Sequence, residues 1–169
     1  MSGLRGRERL QPSLLDRLTD NAPAQKRDGP DQQALSMTQL RQAVLRDLAA
    51  LLNTTNLTTL IDLEATPLVA ASTLNYGIPG FAGLIESSMH MMALERQLAD
   101  AIRAYEPRIR PATLRVRARG SRGDNANALL VFEIEGELWA QPVPQQLFLE
   151  TAIELETRLA VVTEVKGTR

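Results

Sequence analysis

Cysteine is absent from the chain, which excludes disulfides and thiolate metal sites and suits a reducing compartment. Aromatic residues are scarce, with three Phe, two Tyr and one Trp among 169 residues. The core must therefore come mainly from Leu, Ile, Val and Ala, and a stacking platform for nucleic-acid bases has little material. No run approaches the roughly 18 apolar residues that span a bilayer, so direct membrane insertion is not expected. Residues 1–12, MSGLRGRERLQP, carry arginines without the apolar stretch of a secretory signal. The single histidine, His90, has no Cys or carboxylate at ligand spacing, so neither a metal nor another cofactor is expected. An excess of one charge is lacking too: the formal net charge of −1 argues against a general nucleic-acid binder.

What is present fits one domain with tails. Residues 1–35 mix charges with Gly3, Gly6, Pro12, Pro23, Gly29 and Pro30 and read as a flexible arm. A short helix near 13–19 interrupts it, with Ser13 as cap and Leu14, Leu15 and Leu18 on one face. A helix that short needs support, either from the domain's own core or from a partner. The domain itself spans 36–165, followed by a tail at 166–169. Its first long helix runs from Met37 to Leu52 behind a Ser36/Gln39 capping box, burying Leu40, Val44, Leu48, Leu51 and Leu52. A short helical turn can begin at Pro67, and Asn75-Tyr76-Gly77-Ile78-Pro79-Gly80 reads as a structured loop. The second long helix is expected over 84–105, buried through Leu84, Met91, Leu94, Leu98, Ile102 and Tyr105.

Beyond Pro111 the hydrophobic period changes to two. Leu114, Val116 and Ala118 alternate with Arg115, Arg117 and Arg119, which predicts a strand over 113–119. The cluster from Gly120 to Asn125 predicts a hairpin turn onto a strand from Leu129 to Glu137. Arginines would then oppose Glu133, Glu135 and Glu137 across the pair. Residues 147–165 fit two further strands with a turn near Glu156-Thr157-Arg158. The fold class is α+β: two long helices packed on a small antiparallel-rich sheet, with a flexible N-terminal arm.

No nucleophile, phosphate loop or dinucleotide fingerprint occurs. A glycosidase needs two carboxylates about 5–9 Å apart, whereas Glu95 and Glu106 on one helix would be separated by roughly 16 Å. The chain is therefore read as a non-enzyme.

SLLDRL, LRQAVLRDLAALLNTTN, STLNYGIPGF, AIRAYEPRI and the strand-rich ending together resemble the TssE family, baseplate subunits of type VI secretion systems related to the gene-25-type wedge protein of contractile phage tails. Gly80 stands where that family often has an acidic residue. The resemblance implies a structural role: linking the baseplate wedge of TssF, TssG and TssK to the sheath subunits TssB and TssC, and priming sheath polymerisation. It implies a cytoplasmic location, at the baseplate on the inner face of the cytoplasmic membrane. It also implies that Glu106, Pro107 and Arg108 contact a helical core bundle of TssF and TssG, while Asn75, Tyr76 and Gly77 form a structural loop. Pro107 ends the helix near Tyr105 and would hold Glu106 and Arg108 outward at a fixed angle. On this reading Arg108 makes a two-pronged contact with a partner, and Arg108→Ala should spare the fold. Arg115, Arg117 and Arg119 are candidates for a sheath or wedge contact. An equivalent wedge protein of a phage tail or another contractile injector is the alternative. A nucleic-acid module built on the arginine run and a peptidoglycan hydrolase are the rivals.

Overall fold

A computed structural model of the chain describes residues 13–18, 36–80, 88–122, 129–139, 144–154, 157 and 159–165. The flexible-arm expectation for residues 1–35 lies outside these residues except at 13–18. The same holds for the 166–169 tail and for helix residues 84–87.

Four α-helices and four strands are present among the described residues: α1 (Leu14–Leu18), α2 (Met37–Leu52), α3 (Pro67–Ala70), α4 (Ser88–Tyr105), β1 (Arg115–Arg122), β2 (Leu129–Leu138), β3 (Gln145–Glu154) and β4 (Ala160–Glu164). The fold is α+β. Helix α2 starts where Ser36 Oγ accepts from the Gln39 amide while the Gln39 side chain accepts from the Ser36 amide, closing the capping box. Its stripe of Leu40, Val44, Leu48, Leu51 and Leu52 is buried, as are Leu94, Leu98 and Ile102 on α4.

The sheet is an antiparallel meander in the order β1-β2-β3-β4. Strand alternation puts Val116, Leu130, Phe132, Ile134, Leu147, Leu149 and Ile153 into the core with the two helical stripes. The charged face follows the expected register, with Arg115 opposite Glu135 and Arg117 opposite Glu133. Strands β3 and β4 form the third hairpin of the meander, in which Thr157 lies in the turn and Glu154 donates its amide to the Leu159 carbonyl.

One expectation is corrected here. Gly120, Ser121 and Arg122 do not form a hairpin turn; they continue β1, with Arg122 still paired to Leu129. The register slips between Ala118 and Gly120, so Arg119 is the extra residue of a bulge and Gly120 takes a φ of 99°. A bulge needs such a residue, and its composition resembles that of a turn.

Both edges of the sheet are partly covered by side chains from the helices. Glu95 on α4 accepts the outward amide of Ala118 on β1 at 2.7 Å. Asn53, just past α2, both accepts from the Ala160 amide and donates to its carbonyl at the start of β4. Such covering blunts an edge against unwanted strand pairing.

Candidate partner-docking site at the Glu-Pro-Arg motif

Helix α4 makes one last helical bond, from the Glu106 amide to the Ile102 carbonyl, before Pro107 interrupts it. The chain then turns onto the end of β2. Ile109 pairs with Leu138 in an isolated antiparallel bridge, Trp139 donates to the Arg108 carbonyl at 2.7 Å, and Arg110 donates to the Glu137 carbonyl at 2.9 Å. Gly136 makes room for this docking, because a Cβ there would meet Ile109 Cγ2 at 2.8 Å. The motif is thus held by a helix on one side and a strand end on the other.

The geometry differs from the expected outward display for the acid. Glu106 is buried, with 2% of its surface exposed. Its carboxylate accepts from the Arg108 amide at 3.1 Å and Nε at 2.7 Å through Oε1, and from Nη2 at 2.5 Å through Oε2. The two-pronged contact of Arg108 exists, but its acceptor is the motif's own glutamate. Arg108 also donates through Nη2 to Asp47 Oδ2 at 2.6 Å. Burial presses its pKa down most strongly, yet the hydrogen bonds and charges of Glu106 and then Asp47 outweigh that and raise it. Nη1 is shielded from solvent and meets no acceptor among the described residues, while the side chain as a whole keeps 20% exposure. It follows that Arg108→Ala would not be innocent for the fold, since it would leave the Glu106 carboxylate buried beside a single amide.

The cluster extends further. Asp47 is paired with Arg46, which reaches Asp16 of α1 at 2.7 Å, so the ion pairs run Glu106–Arg108–Asp47–Arg46–Asp16. Helix α1 is fastened by Asp16, which also accepts from Ser13, while its Leu14 and Leu18 are exposed. These two leucines are therefore not a satellite of the core.

The Asn75-Tyr76-Gly77 loop is the wall beside this cluster. Asn75 Oδ1 accepts from the amide and hydroxyl of Thr58, and its Nδ2 donates to the Ala70 carbonyl. Tyr76 packs edge-on against Tyr105 at 5.2 Å, and the Tyr105 hydroxyl donates to the Ser72 carbonyl. The Tyr76 hydroxyl pKa is raised by burial first and then by the charges of Asp47 and Glu106. Gly77, at φ 119°, lets the chain pass Thr54 closely enough for the Ile78 amide to reach the Thr54 carbonyl at 2.8 Å. Gly80 donates its amide to Thr59 Oγ1.

The basic strand lies apart from the motif. Arg115, Arg117 and Arg119 are exposed, and Arg119 Nε pairs with Glu133 at 2.6 Å. No group of three His, Cys, Asp or Glu side chains that could hold a metal occurs among the described residues.

The family described as baseplate wedge protein gp25 matches residues 38–143. The chain belongs to this family. No curated protein matches the chain. The matched span takes in α2, the Asn-Tyr-Gly loop, α4, the Glu-Pro-Arg motif and the β1–β2 pair, so the ion-pair cluster from Arg46 to Arg108 lies inside it. A baseplate wedge family carries a structural role within a contractile assembly and implies contacts with other baseplate components. No helix among the described residues is long and apolar enough to cross a membrane.

The sequence reading missed Asp47 and Arg46 as members of the site. Their i, i+1 placement off the apolar stripe of α2 marks them as surface charges, and nothing local ties them to Arg108. It also missed the Trp139 amide that ties the motif to the end of β2, since the consecutive apolar residues Leu138 and Trp139 mark only a strand end.

Proposed function

We propose that the chain is the TssE-type subunit of a type VI secretion baseplate. It joins the wedge of TssF, TssG and TssK to the first ring of the TssB–TssC sheath and primes that ring's polymerisation. Its place is the cytoplasmic side, against the inner face of the cytoplasmic membrane. The observation that carries the reading is the Arg108 clamp. A guanidinium is immobilised by Glu106 and Asp47 on a rigid helix exit and its side chain keeps 20% exposure, which suits a fixed contact with a neighbouring subunit. In this role Glu106 positions Arg108 rather than touching the partner, and Pro107 sets the exit angle. The docking partner is the helical core bundle of TssF and TssG.

The sheath contact would use strand addition, with main-chain bonds supplying affinity and side chains setting register. Arg115, Arg117 and Arg119 line the exposed face of the β1 edge and are the proposed register contacts.

Affinity purification of the tagged chain from its native cells, with mass spectrometry of what accompanies it, tests the reading. Recovery of TssF, TssG and TssK is the expected result. Recovery of phage tail proteins would move the chain to a tail baseplate, and recovery of neither set would contradict a wedge role.

A further inference from the structure

Trp139 is the only tryptophan of the chain, and it is 56% exposed. It sits at the end of β2, where its amide donates to the Arg108 carbonyl. The bridge next to it settles which way it faces. Ile109 and Leu138 are paired and both buried, at 1% and 0% exposure, so that pair points into the core. In an extended antiparallel pair the flanking residues point the other way. Trp139 is such a flanking residue, and across the bridge its amide holds the carbonyl of Arg108, which lies in the turn after Pro107. The indole therefore stands on the side of the strand end away from the core, one main-chain hydrogen bond from the residue that Glu106 and Asp47 hold in place.

Nothing among the described residues calls for an indole here. The position neither fills the core nor closes the sheet, and a large apolar ring in water is unfavourable unless something covers it. Tryptophan and arginine are the residue types that most often dominate binding energy at protein interfaces, and they do so when adjacent and shielded together. Resting on the reading of Arg108 as a wedge contact, we infer that Trp139 is the apolar anchor of the same docking surface. The partner this fits presents an apolar pocket for the indole, with a carboxylate or free carbonyl at its rim for Arg108. An apolar patch alone would leave the exposed edge of the already paired guanidinium without a contact, and an acidic surface alone would leave the ring in water.

The test uses the full chain with co-purified TssF–TssG. Binding is measured for wild type, Trp139→Ala, Trp139→Phe and Arg108→Lys, with circular dichroism and thermal midpoints as fold controls. The expected result is a loss of at least about tenfold for Trp139→Ala, partial recovery in Trp139→Phe, and an independent loss in Arg108→Lys. With 5-fluorotryptophan in this chain alone, the single fluorine resonance should shift on complex formation. If Trp139→Ala binds as wild type while Arg108→Lys does not, the anchor is overturned and the wedge contact stands. If both bind as wild type, both ideas fall. A loss in Trp139→Ala with none in Arg108→Lys would separate the two residues and overturn the shared surface. Self-association of the isolated chain that Trp139→Ala abolishes would assign the indole to a second copy and overturn the proposal.

Discussion

Nη2 of Arg108 lies 2.6 Å from Oδ2 of Asp47, a residue 61 positions earlier in the chain. This contact fastens the exit of α4 to the flank of α2. Together with Glu106 it turns a short polar motif into a rigid part of the domain. The pair is sheltered on the glutamate side and open on the arginine side, and that asymmetry separates positioning from contact.

Removing the sheltered partner should cost the most. Glu106→Ala would leave Arg108 with only Asp47 and open a polar hole behind Pro107. A destabilisation of about 2–3 kcal/mol is expected, less than for a fully buried pair because Arg108 retains solvent contact. Denaturant titration of the purified variant measures it.

Gly77 and Gly120 both have positive φ, yet replacing them should give different outcomes. At Gly77 a Cβ would lie 2.3 Å from the Thr54 carbonyl oxygen, whereas at Gly120 nothing lies within 4 Å. Gly120→Ala should cost about 1–2 kcal/mol from backbone strain alone. Gly77→Ala must also displace backbone and should cost distinctly more, with the Thr55–Ile78 bridge lost. Thermal midpoints of the two variants, compared side by side, check the order.

The docking of α1 should fail in acid. The hydrogen bond from Arg46 is the largest influence on Asp16, and despite opposing burial it holds the carboxyl pKa below the ordinary 3.8. A depressed carboxylate pKa contributes stability that is fully present above the ordinary value and is lost as pH falls through the folded one. Amide protection in α1, taken relative to the intrinsic exchange rate at each pH, should therefore hold from neutral pH down to about 4 and fall below that. Asp16→Asn should show the reduced protection already at neutral pH.

The covered edge of β1 gives a further expectation. Glu95→Ala frees the Ala118 amide and should raise self-association of the isolated chain, while Glu95→Gln, which can still accept that bond, should not. Light scattering across a concentration series distinguishes the two.

Local patterns made much of this molecule legible. The capping box and the leucine spacing located α2, and period-two alternation located the strand pairs and their charged register. The turn between β3 and β4 could be placed without a glycine because Val161 and Val162 favour strand. Gly120 was misread because a bulge and a turn recruit the same residues, and only the partner strand shows where pairing stops. The candidate site was half legible. Pro107 shows that a helix ends, but not that Asp47 reaches Arg108 or that Tyr105 packs against the Asn-Tyr-Gly loop. The first contact spans 61 residues and the Tyr105–Ser72 bond 33, and no local periodicity encodes them.

The proposed docking requires Arg108 to meet a neighbouring subunit as well as to close its own ion pair. Arg108→Lys tests this most directly, because lysine can keep a positive charge for Glu106 while losing the planar fork. The measurement is the affinity of the folded variant for TssF–TssG beside its thermal midpoint. A midpoint lowered by only about 2–4 °C with binding reduced at least tenfold is the predicted result. Wild-type affinity in a variant that remains folded would contradict the claim.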